Sequence, residues 1–376
     1  MNMEALRQLL QKRNRAKDAL LSERTGLSPE RLAQLETSSE PNLNELRLLA
    51  DFFRVDLRDL LPPDPRHQSV GLLFRSGGKD VDEVTSAALS RRVGYSIELL
   101  EGEAFPSTAS WIDEFRGGVK TYDDAEQNAE VFRNIFMGGD QVSPLYRLPQ
   151  LAAKEMGILL FLVRTSRFEG ASAYIENLPF VFLAESFGPR MLFTLAHEIG
   201  HLIGHHDRHQ SFAIVDAQTE KRTQPSKNAV EFYAHAFASC LLMPKSGIGV
   251  TLRKIREMQK ASDAALGDLE ILLLSRIYGV SFYAAARRCE DLSLLPRGGA
   301  ASLNETLKKE YGSAEKRADA ANLPPRADIL FPKIPASLLK AATEKVRAGE
   351  ISIGKASSIL GLSIADLLSA NAPRVN

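Results

Sequence analysis

The chain has 376 residues, which is more than one ordinary hydrophobic core contains, so its length indicates two or three domains. Hydrophobic residues make up 44% and charged residues 25%, as in globular proteins, and 47 basic residues balance 47 acidic ones. The balance excludes a general electrostatic attraction to nucleic acid, and the two distant cysteines exclude a disulfide framework or a thiolate zinc site.

The N-terminus and the apolar runs predict a cytoplasmic protein without a membrane partner. The first 21 residues mix five basic residues with apolar ones and never form the continuous apolar stretch of a signal peptide. The longest apolar runs, residues 157–163 and 178–184, are far shorter than the roughly 20 residues of a membrane helix. We interpret both runs as buried strands.

Residues 1–65 predict a small domain of five short helices. Gly26 ends the second helix, Ser28 follows as an N-cap, and Pro29 takes the first position of the third helix. Three prolines within residues 62–65 then break the chain, and we place a domain boundary there.

Residues 66–120 predict a helical linker region without a chemical motif. Residues 121–295 predict a second domain, in which helices precede two strands at 158–163 and 178–184. A further strand at 172–175 is expected to pair with the second of these across a two-residue Glu-Asn turn.

Helices are predicted for most of the remaining chain. Residues 190–205 and 228–243 both show a helical pattern, and Pro244 ends the second helix. Residues 296–376 predict a C-terminal helical region whose last two helices turn at Gly361. We interpret that pair as a packing tail, with a second nucleic-acid or partner contact as the alternative.

One helix carries the sequence His197-Glu198-Ile-Gly-His201, which is an H-E-x-x-H motif inside an apolar pattern. Residues four apart on a helix project to the same side, so both histidines can bind one metal ion. Glu198 lies beside that face and can reach a metal-bound water as a general base. Six of the seven histidines lie within residues 197–235, as a metal site requires.

A catalytic zinc site needs a third protein ligand and an open position for water. Two candidates stand out: Glu231, which follows His201 by 30 residues at the start of the next helix, and Asp207 on the same segment. Lesser candidates are His205, His206 and Asp216. The residue pattern leaves this choice open. Zinc is the expected metal, although such a ligand set also accepts manganese or iron.

Two motifs resemble the ImmA/IrrE family of metallo-endopeptidases. HEIGH at 197–201 is followed by E-x-x-A from Glu231 and by L-L-M-P at 241–244. The resemblance covers about residues 125–288 and implies a zincin-like domain in which Glu231 is the third zinc ligand. His235 departs from the Asn that is usual in the family at this position.

The residues around the motif leave two parts of the mechanism open. An oxyanion donor is expected, and an extended substrate is expected to pair with an edge strand near residues 172–175. The donor candidates by residue type are Tyr174, His206, Tyr233 and His235.

Residues 1–61 resemble the Cro-repressor (XRE-like) helix-turn-helix family. In such domains the helix that starts near Ser28 enters the major groove, so the resemblance implies DNA contacts by Ser28, Arg31 and Gln34. Residues 1–65 hold ten basic and eleven acidic residues, a net charge of −1, whereas phosphate contacts favour a basic surface. The alternative is a protein-interaction or dimerisation module, which would make the chain a homodimer.

Together these features predict an α+β, mostly helical fold: a five-helix helix-turn-helix domain, a zincin-like peptidase domain with a small β-sheet, and a helical C-terminal region. The leading hypothesis is a zinc endopeptidase that cleaves a specific protein. By resemblance the substrate is a helix-turn-helix repressor, and cleavage relieves repression in stress response or phage-related regulation. The alternative is a DNA-binding regulator or antitoxin-like protein with a structural or sensory metal site.

Overall fold

A computed structural model describes most of the chain. The described residues are 3–11, 15–37, 39–53, 55, 57–60, 83–101, 110–115, 121–163, 165, 168–205, 211–217, 229–259 and 265–371. The fold is α+β and mostly helical, as the sequence predicts.

The N-terminal residues form five short helices around a core of leucines, which confirms the predicted helix-turn-helix domain. Gly26 lies between the second and third helices with a φ of 68°, a left-handed backbone that favours glycine. The elements are α1 (Met3–Gln11), α2 (Arg15–Thr25), α3 (Pro29–Thr37), α4 (Leu43–Phe53) and a final 3-10 helix (Leu57–Leu60).

Four strands form one mixed sheet in the order β1-β3-β2-β4. The strands are β1 (Leu159–Val163), β2 (Phe168–Ile175), β3 (Leu178–Ala184) and β4 (Phe212–Ala217). β1 pairs with β3 in parallel, and β2 is antiparallel to both β3 and β4. The predicted hairpin between β2 and β3 is confirmed, and its turn uses Glu176 and Asn177 with φ of 51° and 63°.

The edge-strand expectation for residues 172–175 is wrong. β2 is paired on both sides, because β4 joins the sheet beyond it: Ser172 lies opposite Ile214 and Ala173 opposite Ala213. Neither periodicity nor the family motif predicts β4, which begins at Phe212, after the motif helix has ended at Gly204. Among the described strands, β4 and β1 form the two edges.

The other elements are helical. They are α5 (Glu83–Leu100), a 3-10 helix (Ser110–Glu114), α6 (Tyr122–Met137), α7 (Leu148–Lys154), α8 (Gly188–Gly204), α9 (Ala229–Leu242), α10 (Lys245–Gln259), α11 (Asp268–Tyr278), α12 (Phe282–Asp291), α13 (Gly299–Tyr311), α14 (Ala314–Ala320), α15 (Ala336–Arg347), α16 (Ile353–Leu360) and α17 (Ile364–Asn371).

The sheet separates two apolar cores. On one face, Val181 and Leu183 of β3 pack with the buried residues of α6, α8 and α9. On the other face, Phe180 and Phe182 pack with α5 and with Ala342 of α15. Because side chains alternate along a strand, β3 contributes to both cores at once. The C-terminal helices therefore complete the core on the far side of the sheet from α8.

Two buried arginines fix the C-terminal end of α9. Arg133 of α6 donates from Nε (2.9 Å) and Nη2 (2.7 Å) to the carbonyl of Leu241, and Arg288 of α12 donates from Nε to that of Met243 (2.9 Å). The last carbonyls of a helix have no partner within the helix, so these contacts satisfy them. Burial lowers the pKa of Arg133 to about 10, so it stays protonated at neutral pH.

No single helix among the described residues is long and apolar enough to cross a membrane. One bent pair, α11 and α12, passes by length and composition alone, with an angle of 108° between its helices.

Candidate metal centre

The H-E-x-x-H motif lies on α8, a helix whose residues 194–204 are all buried. Pro189 opens the helix, where its missing N–H costs no hydrogen bond. His197 and His201 are one turn apart and only 2% and 0% exposed. Since buried imidazoles are costly without polar partners, this environment favours a site that engages both rings.

Two glycines let α9 approach α8 closely. A Cβ on Gly200 would lie 3.0 Å from Cα of Ala234, and a Cβ on Gly204 would lie 2.3 Å from a ring carbon of Tyr233. Any larger residue would therefore push the helices apart. The close approach brings Glu231, in the first turn of α9, over the two histidines.

The three side chains converge through their ligand atoms. Nε2 of His197 and Nε2 of His201 are 3.0 Å apart. The carboxylate of Glu231 lies 3.5 Å from the first and 3.4 Å from the second. Within the part of the chain that the structure describes, these form the one group of three or more His, Cys, Asp or Glu side chains able to hold a metal ion.

These separations fit a tetrahedral ion. Zinc bonds of about 2.0–2.2 Å separate neighbouring ligand atoms by about 3.3–3.6 Å in tetrahedral geometry. The two distances to Glu231 fall within that range, and the distance between the imidazole nitrogens is a few tenths of an ångström shorter. Two nitrogens and a carboxylate are also the donor set of catalytic zinc sites with two histidines and a glutamate. The residues present therefore fit a zinc ion.

Glu198 is fully buried between α8 and the sheet. Its Oε2 accepts a hydrogen bond of 2.7 Å from Oγ of Ser172 on β2. Its position in the chain directly after His197 places it beside the two histidines without making it part of their donor group. Sequence reasoning missed Ser172, because no local motif links a strand serine to a helix 26 residues later.

The other candidate third ligands have different placements. Nδ1 of His205 is 3.3 Å from Nδ1 of His201, on the opposite side of that ring from the nitrogen that faces Glu231. A contact there orients the ring and sets its tautomer. His206, Asp207 and the side chain of Asp216 lie outside the described residues.

The structure separates the candidate oxyanion donors. Tyr233 is fully buried, its hydroxyl accepts a hydrogen bond of 2.8 Å from Nδ2 of Asn128, and burial raises its pKa to about 12. Tyr174 is also buried. His235 is exposed, and its ring centroid lies 6.3 Å from that of His197. Of the three described candidates, His235 is the one with a solvent-exposed side chain.

The residues with predicted DNA contacts are part of the N-terminal fold. The guanidinium of Arg31 donates to both carboxylate oxygens of Glu45, at 2.8 and 2.9 Å. The same group also donates to the carbonyl of Glu40. Ser28 caps α3 through a hydrogen bond of 3.2 Å from the N–H of Arg31, and Gln34 is exposed.

Two family models match the chain, one over the domain that holds the metal centre and one over the N-terminal domain. Residues 153–290 match the family model of the IrrE N-terminal-like domain, a peptidase family, and residues 6–60 match a helix-turn-helix family model. No curated protein matches the chain.

Proposed function

We propose that this chain, which joins a helix-turn-helix domain to an IrrE N-terminal-like peptidase domain, is a zinc-dependent endopeptidase with a regulatory role. Its substrate is a specific protein such as a helix-turn-helix transcriptional repressor, and cleavage relieves repression. The observation that carries the proposal is the convergence of His197, His201 and Glu231 beside a buried Glu198.

Each of the four residues has one role in this proposal. His197, His201 and Glu231 hold the metal through Nε2, Nε2 and a carboxylate oxygen. A zinc ion bound there would supply an acidified water molecule, with a pKa of about 7, and would polarise the substrate carbonyl. Glu198 would be the general base: it would accept a proton from the attacking water molecule and give it to the leaving amine of the cleaved peptide.

Other residues would orient the substrate. An extended peptide can add to the edge of a sheet, and β4, next to β2, is an edge strand among the described strands. His235 is our candidate donor to the carbonyl oxygen of the substrate. Its side chain is exposed, and its ring centroid lies 6.3 Å from that of His197 and 5.0 Å from that of Phe193. Exposure matters here because a donor must reach the substrate from the open side.

The alternative function is a DNA-binding regulator whose metal site is structural. The helix-turn-helix match supports it. A structural zinc site is usually closed by four protein ligands, however, and has no use for a buried carboxylate beside its histidines. The ion pair between Arg31 and Glu45 further reduces the cations available to a DNA backbone.

The test measures metal content and cleavage together. Mass spectrometry should find about one zinc ion per chain in the wild type and in Glu198→Gln, and much less in Glu231→Gln. Incubation with helix-turn-helix repressors encoded nearby should show cleavage by the wild type and its loss in both variants. Glu257→Gln, an exposed glutamate of α10, is the matched control and should behave as the wild type.

Two outcomes would contradict the proposal. A wild type without bound metal, or a Glu198→Gln variant that cleaves as fast as the wild type, would favour the structural alternative. Metal retained by Glu231→Gln would move the third-ligand role to another residue such as Asp207.

A further inference from the structure

A fully buried polar contact joins the active-site helix to strand β2. Oγ of Ser172 donates to Oε2 of Glu198 over 2.7 Å, and both side chains are fully buried. A hydrogen bond in a buried setting is electrostatically stronger than one in water. The contact joins the sheet to the side chain that our proposed function uses as the base.

A glycine two residues earlier makes room for the same carboxylate. Gly170 and Ser172 face the same side of β2, because side chains alternate along a strand. A Cβ at Gly170 would lie 2.2 Å from Oε1 of Glu198 and 2.7 Å from Cγ2 of Thr194. No real side chain tolerates such distances, so even alanine at this position would displace the carboxylate.

We propose that Ser172 and Gly170 are positioning residues that hold the Glu198 carboxylate in its working orientation. This inference rests on the proposed peptidase function. A glutamate on a helix rotates about three side-chain bonds, and proton transfer requires a fixed donor-to-acceptor geometry. Ser172 fixes the plane of the carboxylate through Oε2, and Gly170 provides the space that this orientation occupies.

Kinetics of serine variants test the role of the hydroxyl. The probe is the best-cleaved member of a fluorescence-quenched peptide library, selected with the wild-type chain. Ser172→Ala should lower kcat by about 100-fold, the size expected for a misplaced catalytic group, with KM within about twofold. Ser172→Cys, which keeps the volume but has only a weak donor, should also lose activity. Ser172→Thr keeps the hydroxyl and should restore kcat to within roughly threefold of the wild type.

Ser275→Ala is the matched control. Ser275 is equally buried, but its hydroxyl donates to the carbonyl of Leu272 on α11 (2.8 Å), away from the metal donors. It should keep the wild-type kcat. Metal content should remain about one ion per chain in all serine variants, since none of them removes a ligand.

The glycine is tested in the same assay. Gly170→Ala should lower kcat at least as much as Ser172→Ala, because the added methyl group occupies the place of Oε1. Gly249→Ala on α10, where a Cβ meets nothing within 4 Å, should leave kcat unchanged.

A thermal unfolding cycle supplies a readout that needs no substrate. If the hydrogen bond forms, the shifts in unfolding temperature caused by Ser172→Ala and Glu198→Gln will not add in the double variant. Additive shifts overturn the inference. So does wild-type kcat in Ser172→Ala, or metal loss that accompanies its loss of activity. A different outcome would overturn the proposed function instead. In that outcome the wild type binds metal but cleaves no peptide, while the shifts in unfolding temperature are non-additive, and the catalytic role of Glu198 is then lost as well.

Discussion

The helix-turn-helix domain and the metal centre use their polar side chains in opposite ways. In the N-terminal domain, the polar groups bind other parts of the same fold. Arg31 donates hydrogen bonds to Glu45, and the hydroxyl of Ser28 caps the start of α3. At the metal centre, His197 and His201 turn their Nε2 atoms toward each other and toward a third side chain. Polar groups paired within a fold stabilise it, whereas three ligand atoms that converge on one point mark a candidate metal site.

The largest effect on the metal centre is expected from a substitution that pushes α8 and α9 apart. Gly204→Ala places a Cβ 2.3 Å from the ring of Tyr233, which is fully buried. We expect a loss of about 3 kcal/mol in the free energy of unfolding, at the upper end of the cost of overpacking, and weaker metal binding. Urea unfolding measures the first effect. Gly354→Ala, where the nearest atom is 3.9 Å away, should change little.

The next effect tests whether the surroundings of the histidines matter. His205 contacts the Nδ1 side of His201, so His205→Ala should weaken zinc binding by about 10- to 100-fold, as loss of such a partner does. Competition with a chelator of known affinity gives the value. Unchanged affinity would mean that packing alone orients the His201 ring.

A smaller effect distinguishes a structural tyrosine from a catalytic one. Tyr233→Phe leaves Nδ2 of Asn128 without its acceptor in a buried site, which should cost about 1–2 kcal/mol of unfolding free energy. The value of kcat should not change, because the hydroxyl is engaged away from the open side. A large fall in kcat with stability intact would return Tyr233 to the oxyanion role.

The smallest effect is expected in the N-terminal domain, at the ion pair between Arg31 and Glu45. The hydrogen bond from Arg31 lowers the pKa of Glu45 below its ordinary 4.5, so the pair stabilises the domain above pH 4.5 and loses this contribution as the pH falls through the lowered value. Glu45→Gln should cost about 1 kcal/mol at pH 7, and the difference from the wild type should shrink at low pH. Glu23→Gln, an exposed glutamate of α2, serves as control.

The same pair also offers a test of DNA binding. Glu45→Gln releases the guanidinium of Arg31, so any affinity for DNA should rise in the variant and fall with added salt. A decrease in DNA affinity would mean that Arg31 must be held by Glu45 in order to reach the base or the phosphate.

Local patterns carried most of the sequence-based predictions. The motif on α8, the turn at Gly26, the hairpin at Glu176 and Asn177 and the end of α9 before Pro244 depend on residues a few positions apart, and all have the predicted secondary structure. Short-range spacing determines helix periodicity and turn type, so a single sequence is enough for them.

Long-range contacts could not be predicted in this way. The choice among third-ligand candidates depends on how closely α8 and α9 approach, which is set by Gly200 and Gly204. Both glycines lie in the motif segment, but a local motif does not give the distance from α8 to another helix. Strand β4 was not predicted because it is only six residues long, and because its pairing with β2 is visible only in three dimensions. Ser172 escaped for the same reason, since its partner lies on another element.

Both faces of strand β2 pack against other elements. Ala171 and Ala173 lie in the core shared with the C-terminal helices, while Gly170 and Ser172 lie against α8 and Glu198. In most two-layer folds a strand can vary on its exposed face while the other face is constrained. Because both faces pack against other elements, few side chains fit this eight-residue segment, and changes in either half of the protein must be accommodated elsewhere.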